Sequence, residues 1–271
     1  MGDFEEYLSL LKIRGLNNGW IYRIKRLLVN YLDYTDWDIN KNNTLEYLKH
    51  VQEKSKTSSF RKHVYQIRKY LTYLGMGWAK EIVPPAEPMY CAKHITKENI
   101  QQTIHYFKSK KYAIQLKAII MLGATSGLRA EELYQLNPKD IDIGKRIIHV
   151  NHNPRDGQST KTKRSRISFF NEETEESLIA YLTYFDNNTC LKSLFSKSHL
   201  QRCFHYAPIH VKDLRKFFSQ EWDRQGGPTT IKKILMGHSL KGDVDLMHYN
   251  YQSEEDLKKI YGKVGIRIGI G

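Results

Sequence analysis

The stretch Val83-Pro84-Pro85-Ala86-Glu87-Pro88 divides this chain. Proline removes a backbone donor and pushes the residue before it out of the helical region, so neither a helix nor a central strand can run through these positions. An interdomain linker is expected there, separating residues 1–88 from residues 89–271. At 271 residues the chain is long enough to give each part its own core.

Ahead of the linker, apolar residues recur at helical spacing, as in Tyr22, Leu28, Tyr31 and Leu32, with basic residues between them. The pattern predicts four helices, at about 3–14, 18–34, 44–54 and 58–74. Two of them echo each other: the run Ile21 to Leu28 (IYRIKRLL) returns 43 residues later as Val64 to Leu71 (VYQIRKYL). Either the pair presents basic faces to phosphates, or two bundle helices simply carry solvated basic sides.

Beyond the linker, Thr96 is expected to start a helix to about residue 110, followed by a mostly apolar one at about 111–125. Short strands are expected at about 141–143, 146–151 and 164–170, with Asn153, Pro154, Asp156 and Gly157 in the loop before the last. Helices return at about 171–185, 210–225, 229–237 and 253–264. The expected fold class is mainly α: an all-helical N-terminal domain, then an α-rich domain with a small antiparallel β-sheet.

The formal charge is +14, and most of the excess falls after residue 90, which calls for a polyanionic partner such as nucleic acid. Cys91, Cys190 and Cys203 form no CxxC pair, so neither a disulfide framework nor a zinc site is expected. The opening MGDFEEYLSL is acidic where a signal peptide is basic, and no apolar run approaches the roughly 18 residues a bilayer span requires. A cytoplasmic protein is therefore expected.

Four separated motifs carry chemistry. In TSGLRAEELYQL, residues 125–136, a glycine ends one helix, Arg129 is expected in the first turn of the next, and Glu132 at i+3 can orient its guanidinium. In STKTKRSRISFF, residues 159–170, a cationic turn leads into a strand, with Lys161 best placed to meet a phosphate or a base edge. HVKDLRKFF, residues 210–218, sets Lys212 and Arg215 on one helical face, able to clamp a phosphate. Near the C-terminal end, His238 follows Gly237, and Tyr249 and Tyr251 come after it. A phenol with a pKa of about 10 attacks phosphorus well only where cations favour the phenolate and the charged transition state.

In order and spacing these motifs resemble the tyrosine recombinase (phage integrase) family, its archaeal viral branch most closely, over essentially the whole chain. SGLRAEEL resembles the first arginine box, which makes Arg129 the counterpart of a catalytic arginine and Glu132 its supporting acid. Lys161 matches the hairpin lysine that protonates the leaving 5′-oxygen, Lys212 and Arg215 match the HxxR box, and His238 in LMGHS matches the second histidine. Tyr249 fits the family's nucleophile frame in YNYQSEEDL; Tyr251 is the alternative. Two features depart from the pattern. Lys212 stands where most of the family has histidine, and lysine offers donors but no acceptor at neutral pH. The eleven positions from His238 to Tyr249 exceed the family's usual spacing.

The resemblance implies a helical core-binding (SAM-like) DNA-binding domain at 1–88 and a catalytic domain at 89–271, closing as a C-shaped clamp on a double-stranded DNA attachment site. It implies cleavage and rejoining through a 3′-phosphotyrosyl link, a homo-oligomer on DNA that is a tetramer in synapsis, and no cofactor or metal. Two other functions use similar parts: a nicking-closing enzyme of the type IB topoisomerase kind, and a DNA-binding regulator with an inactive cleft.

Overall fold

The structure is a computed structural model and describes residues 2–89, 91–186, 193–239 and 252–270. The backbone forms two compact units, Met1–Cys91 and Ala92–Gly271.

The first unit contains α1 (Gly2–Ile13), α2 (Asn18–Tyr34), α3 (Lys41–Lys54) and α4 (Thr57–Tyr73), then a 3₁₀ turn at Gly77–Glu81. Caps fix where these helices begin. Asn17 is extended and its side chain accepts from Trp20 N at 2.9 Å, which starts α2. Asn40 does the same for Asn43 N at 2.9 Å, so α3 begins before its first apolar residue and earlier than periodicity predicts. The repeated motif is a shared burial register: Ile24 and Ile67, like Leu28 and Leu71, are buried at equivalent positions, while Tyr22 and Tyr65 are both exposed. Inside this core Tyr31 Oη lies 2.6 Å from Thr44 Oγ1. Because Thr44 Oγ1 donates to Asn40 O at 2.8 Å, the tyrosine is the donor of that pair.

The second unit is built around α6 (Ala113–Ser126), which is buried along most of its length. Around it lie α5 (Lys97–Phe107), α8 (Glu172–Asp186) and α10 (Val211–Arg224), with the short α7 (Ala130–Tyr134) following α6 directly. At Gly123 an added Cβ would come within 2.7 Å of Leu214 and 3.1 Å of Leu133, so the missing side chain is what lets α10 and α7 approach α6 closely. The sheet is antiparallel in the order β1 (Ile141–Asp142), β2 (Ile147–Val150), β3 (Arg166–Phe169), with Ile147 opposite Phe169 and Val150 opposite Arg166. The remaining helices are α9 (Lys197–Cys203), α11 (Thr229–Met236) and α12 (Glu254–Val264).

Among the described residues the fold is mainly α with one small antiparallel sheet, as expected. α9 is the helix that the sequence does not reveal, because its seven residues contain a single buried apolar side chain, Leu200. α12 is fixed by Tyr261, whose buried Oη donates to Thr125 O at 2.9 Å near the end of α6. Burial pushes that phenol well above its ordinary pKa. Among the described residues no helix is long and apolar enough to cross a membrane.

Candidate active site

α6 ends at Gly127, which has φ +66°; a Cβ there would lie 2.5 Å from the Phe218 ring of α10. Glycine is therefore required twice over, for the left-handed turn and for the close approach. Arg129 follows as the N-cap of α7, with extended backbone at φ −73° and ψ 152°. It stands one residue ahead of the helix and not in its first turn, because Glu132 reaches back to cap it. Glu132 Oε2 accepts from Arg129 N, and Oε1 accepts from Arg129 Nη1, both at 2.8 Å. The other end of the guanidinium, Nη2, donates to Gly237 O at 2.8 Å.

Glu132 is only 4% exposed and serves a second arginine. From the start of β3, Arg166 donates Nη1 to Glu132 Oε1 at 3.1 Å and Nη2 to Oε2 at 2.8 Å, while its Nε donates to Leu235 O at 2.8 Å. Burial by itself would raise the carboxyl pKa, but the hydrogen bonds and charges of Arg166 and Arg129 outweigh it and bring the value down to about 2. In the sequence Arg166 reads only as one charge in a cationic run. Its position at a strand start, two residues ahead of the buried Ser168, is the signal that separates it from the exposed lysines before it.

Arg215 on α10 donates Nη1 to Gly127 O at 2.8 Å, two residues from Arg129. Loss of solvent and then the Arg129 cation push its pKa down to about 9, so it remains positive at neutral pH. His238 is held below its ordinary pKa first by partial burial, then by Arg215 and Arg129, and is neutral at neutral pH. Its neighbour Gly237 closes α11 at φ +63°, where an added Cβ would meet the Arg166 guanidinium at 2.8 Å. Lys161 is exposed in the loop between β2 and β3 and lines a cleft of about 600 Å³ with Arg129, Arg164, Arg166, Gly237 and His238.

Thus Arg129, Arg215 and His238 converge, and Lys161 shares a cleft with two of them. Lys212 lies exposed in the first turn of α10, and its side chain has no hydrogen bond or ion pair among the described residues. Tyr249 and its alternative Tyr251 lie outside the described residues. Three guanidinium groups face one carboxylate, which leaves the site strongly positive. Arg166 commits three of its five N–H donors to protein acceptors, whereas Arg215 commits one and Arg129 two, besides its backbone amide. The uncommitted donors suit the non-bridging oxygens of a phosphodiester. A larger groove of about 970 Å³ in the first unit, lined by Trp20, Arg23, Arg61 and Tyr65 among others, has no comparable set of converging buried charges.

The family model described as the phage integrase family matches residues 93–255, a span that contains Arg129, Lys161, Arg166, Lys212, Arg215, His238, Tyr249 and Tyr251. The chain belongs to the phage integrase family. It is 25% identical over 249 residues to the tyrosine recombinase XerA of Thermococcus kodakarensis, covering 90% of this chain and 82% of that one. Among solved structures it shares its fold with a lambda integrase (75–356) dimer bound to a COC′ core site, at 12% identity and a TM-score of 0.68, covering 93% of this chain and 97% of that one. A lambda integrase tetramer bound to a Holliday junction gives a TM-score of 0.64 at 12% identity, covering 93% of this chain and 79% of that one. As a phage integrase family member the chain is an enzyme of DNA strand transfer.

Proposed function

We propose that this protein is a site-specific recombinase in which Tyr249 attacks the scissile phosphate of a duplex attachment site. Tyr249 attacks as the phenolate, its proton having passed to solvent, and the Oη–P bond forms as the P–O5′ bond breaks, leaving a 3′-phosphotyrosyl link and a free 5′-hydroxyl. Arg129, Lys212, Arg215 and His238 donate to the non-bridging oxygens, and Lys161 gives a proton to the departing O5′. Because one phosphoester replaces another, the bond energy is retained for rejoining and no nucleotide hydrolysis is needed. The substrate and partner is double-stranded DNA. The working assembly is a homo-oligomer, a tetramer when two sites are synapsed, as the lambda integrase tetramer on its junction suggests by analogy of fold. The first unit serves as the core-binding domain and the second as the catalytic domain.

The observation that carries this proposal is the Arg129 fork, held at one end by Glu132 and at the other by Gly237 O, with Arg215 anchored two residues away. The test is a covalent trap. The protein is incubated with randomised duplexes carrying a nick beside the possible scissile positions, and detergent-stable adducts are isolated and sequenced. Adducts are expected from the unaltered protein and from Tyr251→Phe and to be absent from Tyr249→Phe. Adducts surviving in Tyr249→Phe would remove Tyr249 from its role.

A further inference from the structure

The loop that carries Lys161 is built on a buried polar anchor. Asp140 is 2% exposed and Gln158 is 6% exposed. Gln158 Nε2 donates to Asp140 Oδ2 at 2.6 Å and to Gln135 O at 3.1 Å. Asp140 also accepts from Asn137 N at 2.8 Å and from Asn151 Nδ2 at 2.9 Å. All three donors to this carboxylate are neutral amides. Sinking a carboxylate among neutral groups costs free energy that its hydrogen bonds only offset, so the arrangement is a poor device for stability alone.

Its geometry has a different use. One carboxylate ties together the segment leaving α7 (Asn137), the end of β2 (Asn151) and the loop (Gln158). The next residues are tied down in turn. Ser159 N donates to Gln135 Oε1 at 2.8 Å, and Thr160 N to His152 Nδ1 at 3.1 Å. Thr160 Oγ1 then closes the turn by donating to Arg164 O at 3.0 Å and accepting from Arg164 N at 3.1 Å. Residues 161–163, with Lys161 and Lys163 exposed, are therefore a short tip on two fixed stems. Gln135 ends α7, the helix whose other end is fixed by Arg129 and Glu132. The lysine tip and the phosphate-facing arginine thus share one foundation.

We infer that Gln158, with Asp140 and Gln135 behind it, is a positioning residue that sets Lys161 at the leaving oxygen. The inference rests on the assignment of Lys161 as proton donor. An error of about 1 Å in the place of a reacting group lowers rates by roughly 100-fold, and a four-carbon lysine stem on a loosened loop is open to errors of that size.

The experiment uses the duplex recovered by the covalent trap, made with either oxygen or sulfur at the scissile 5′-bridging position. A thiolate leaves without a proton, so the sulfur substrate bypasses the acid. Gln158→Leu keeps the buried volume and removes both amide bonds. It is expected to cleave the oxygen substrate roughly 10- to 100-fold more slowly and the sulfur substrate at close to the unaltered rate, matching the pattern of Lys161→Ala. Gln135→Ala, which removes only the acceptor for Ser159 N, is expected to show a milder form of the same pattern and serves if Gln158→Leu does not fold. Equal slowing on both substrates, or no slowing, while Lys161→Ala is rescued by sulfur, overturns the positioning role. Failure of sulfur to rescue Lys161→Ala overturns the acid assignment, and the inference falls with it.

Discussion

The two units bury different things. Among the described residues, the first unit closes over Leu28, Tyr31, Leu32, Ile67 and Leu71, and, its tyrosines aside, the polar side chains it buries are two threonines, Thr35 and Thr44. The second buries four carboxylates, Glu132, Asp140, Asp213 and Glu221. Glu132 pairs with Arg129 and Arg166, Asp213 with Lys216, and Glu221 with Lys97 and Arg224. A buried ion pair adds little net stability over a hydrophobic replacement, yet breaking one by removing a single partner is costly. The first unit is therefore held by packing, and the second accepts fragile electrostatics in exchange for fixed positions of charge.

The contrast breaks most visibly at Glu132. Glu132→Ala leaves Arg166 enclosed without its anion, and a loss of about 3–5 kcal/mol in unfolding free energy is expected, measurable by denaturant titration. The carboxyl also sets the acid limit. Its folded pKa of about 2 lies below the ordinary 4.5, so its contribution is complete above pH 4.5 and is lost as pH falls toward 2. That shift corresponds to about 3 kcal/mol, and Glu132→Gln should flatten this limb of the stability curve.

Arg129→Ala and Arg215→Ala come next and separate catalysis from folding. Glu132 keeps Arg166 in the first variant, so the fold survives. Each change is expected to remove about 2.7–4 kcal/mol of transition-state stabilisation, seen as loss of trapped adduct with DNA binding largely kept in a mobility-shift assay. Equal loss of binding and cleavage would contradict these roles. Gly237→Ala is expected to cost about 1–2 kcal/mol for the left-handed backbone and to slow cleavage as well, because the new methyl displaces Arg166. Tyr31→Phe in the first unit has the smallest effect. Losing its hydrogen bond to Thr44 should cost about 1 kcal/mol and leave cleavage per folded molecule unchanged, and a cleavage defect there would erase the distinction between the units.

Periodicity and caps make most of the helices legible. α2 is legible to its ends because its apolar stripe runs the length of Asn18–Tyr34, and α6 to within two residues because its apolar run is long. The last strand is shorter than its pattern predicts, since Lys163 adopts φ +55° and Thr160 folds the residues before Arg166 into a turn. At the site, local spacing points to Arg129 with Glu132, and the motif order to Lys161, Arg215 and His238, which the structure brings near them; Lys212, read from the same order, stands exposed in the first turn of α10. Arg166 and the Asp140–Gln158 anchor stay hidden for one reason: their partners are distant in sequence, and several are backbone carbonyls, which look the same in every residue type.

Both of the arginines proposed to bind phosphate donate to main-chain oxygens, Arg215 to that of Gly127 and Arg129 to that of Gly237. Their aim therefore depends on the path of the polypeptide together with one side chain, Glu132, which holds the other end of the Arg129 guanidinium. Substitutions elsewhere around such a centre leave it undisturbed, provided the two glycine bends and Glu132 are kept. Homologues that keep the bends, the two arginines and Glu132 are expected to present the same pair of cations, however far the rest of their sequences diverge.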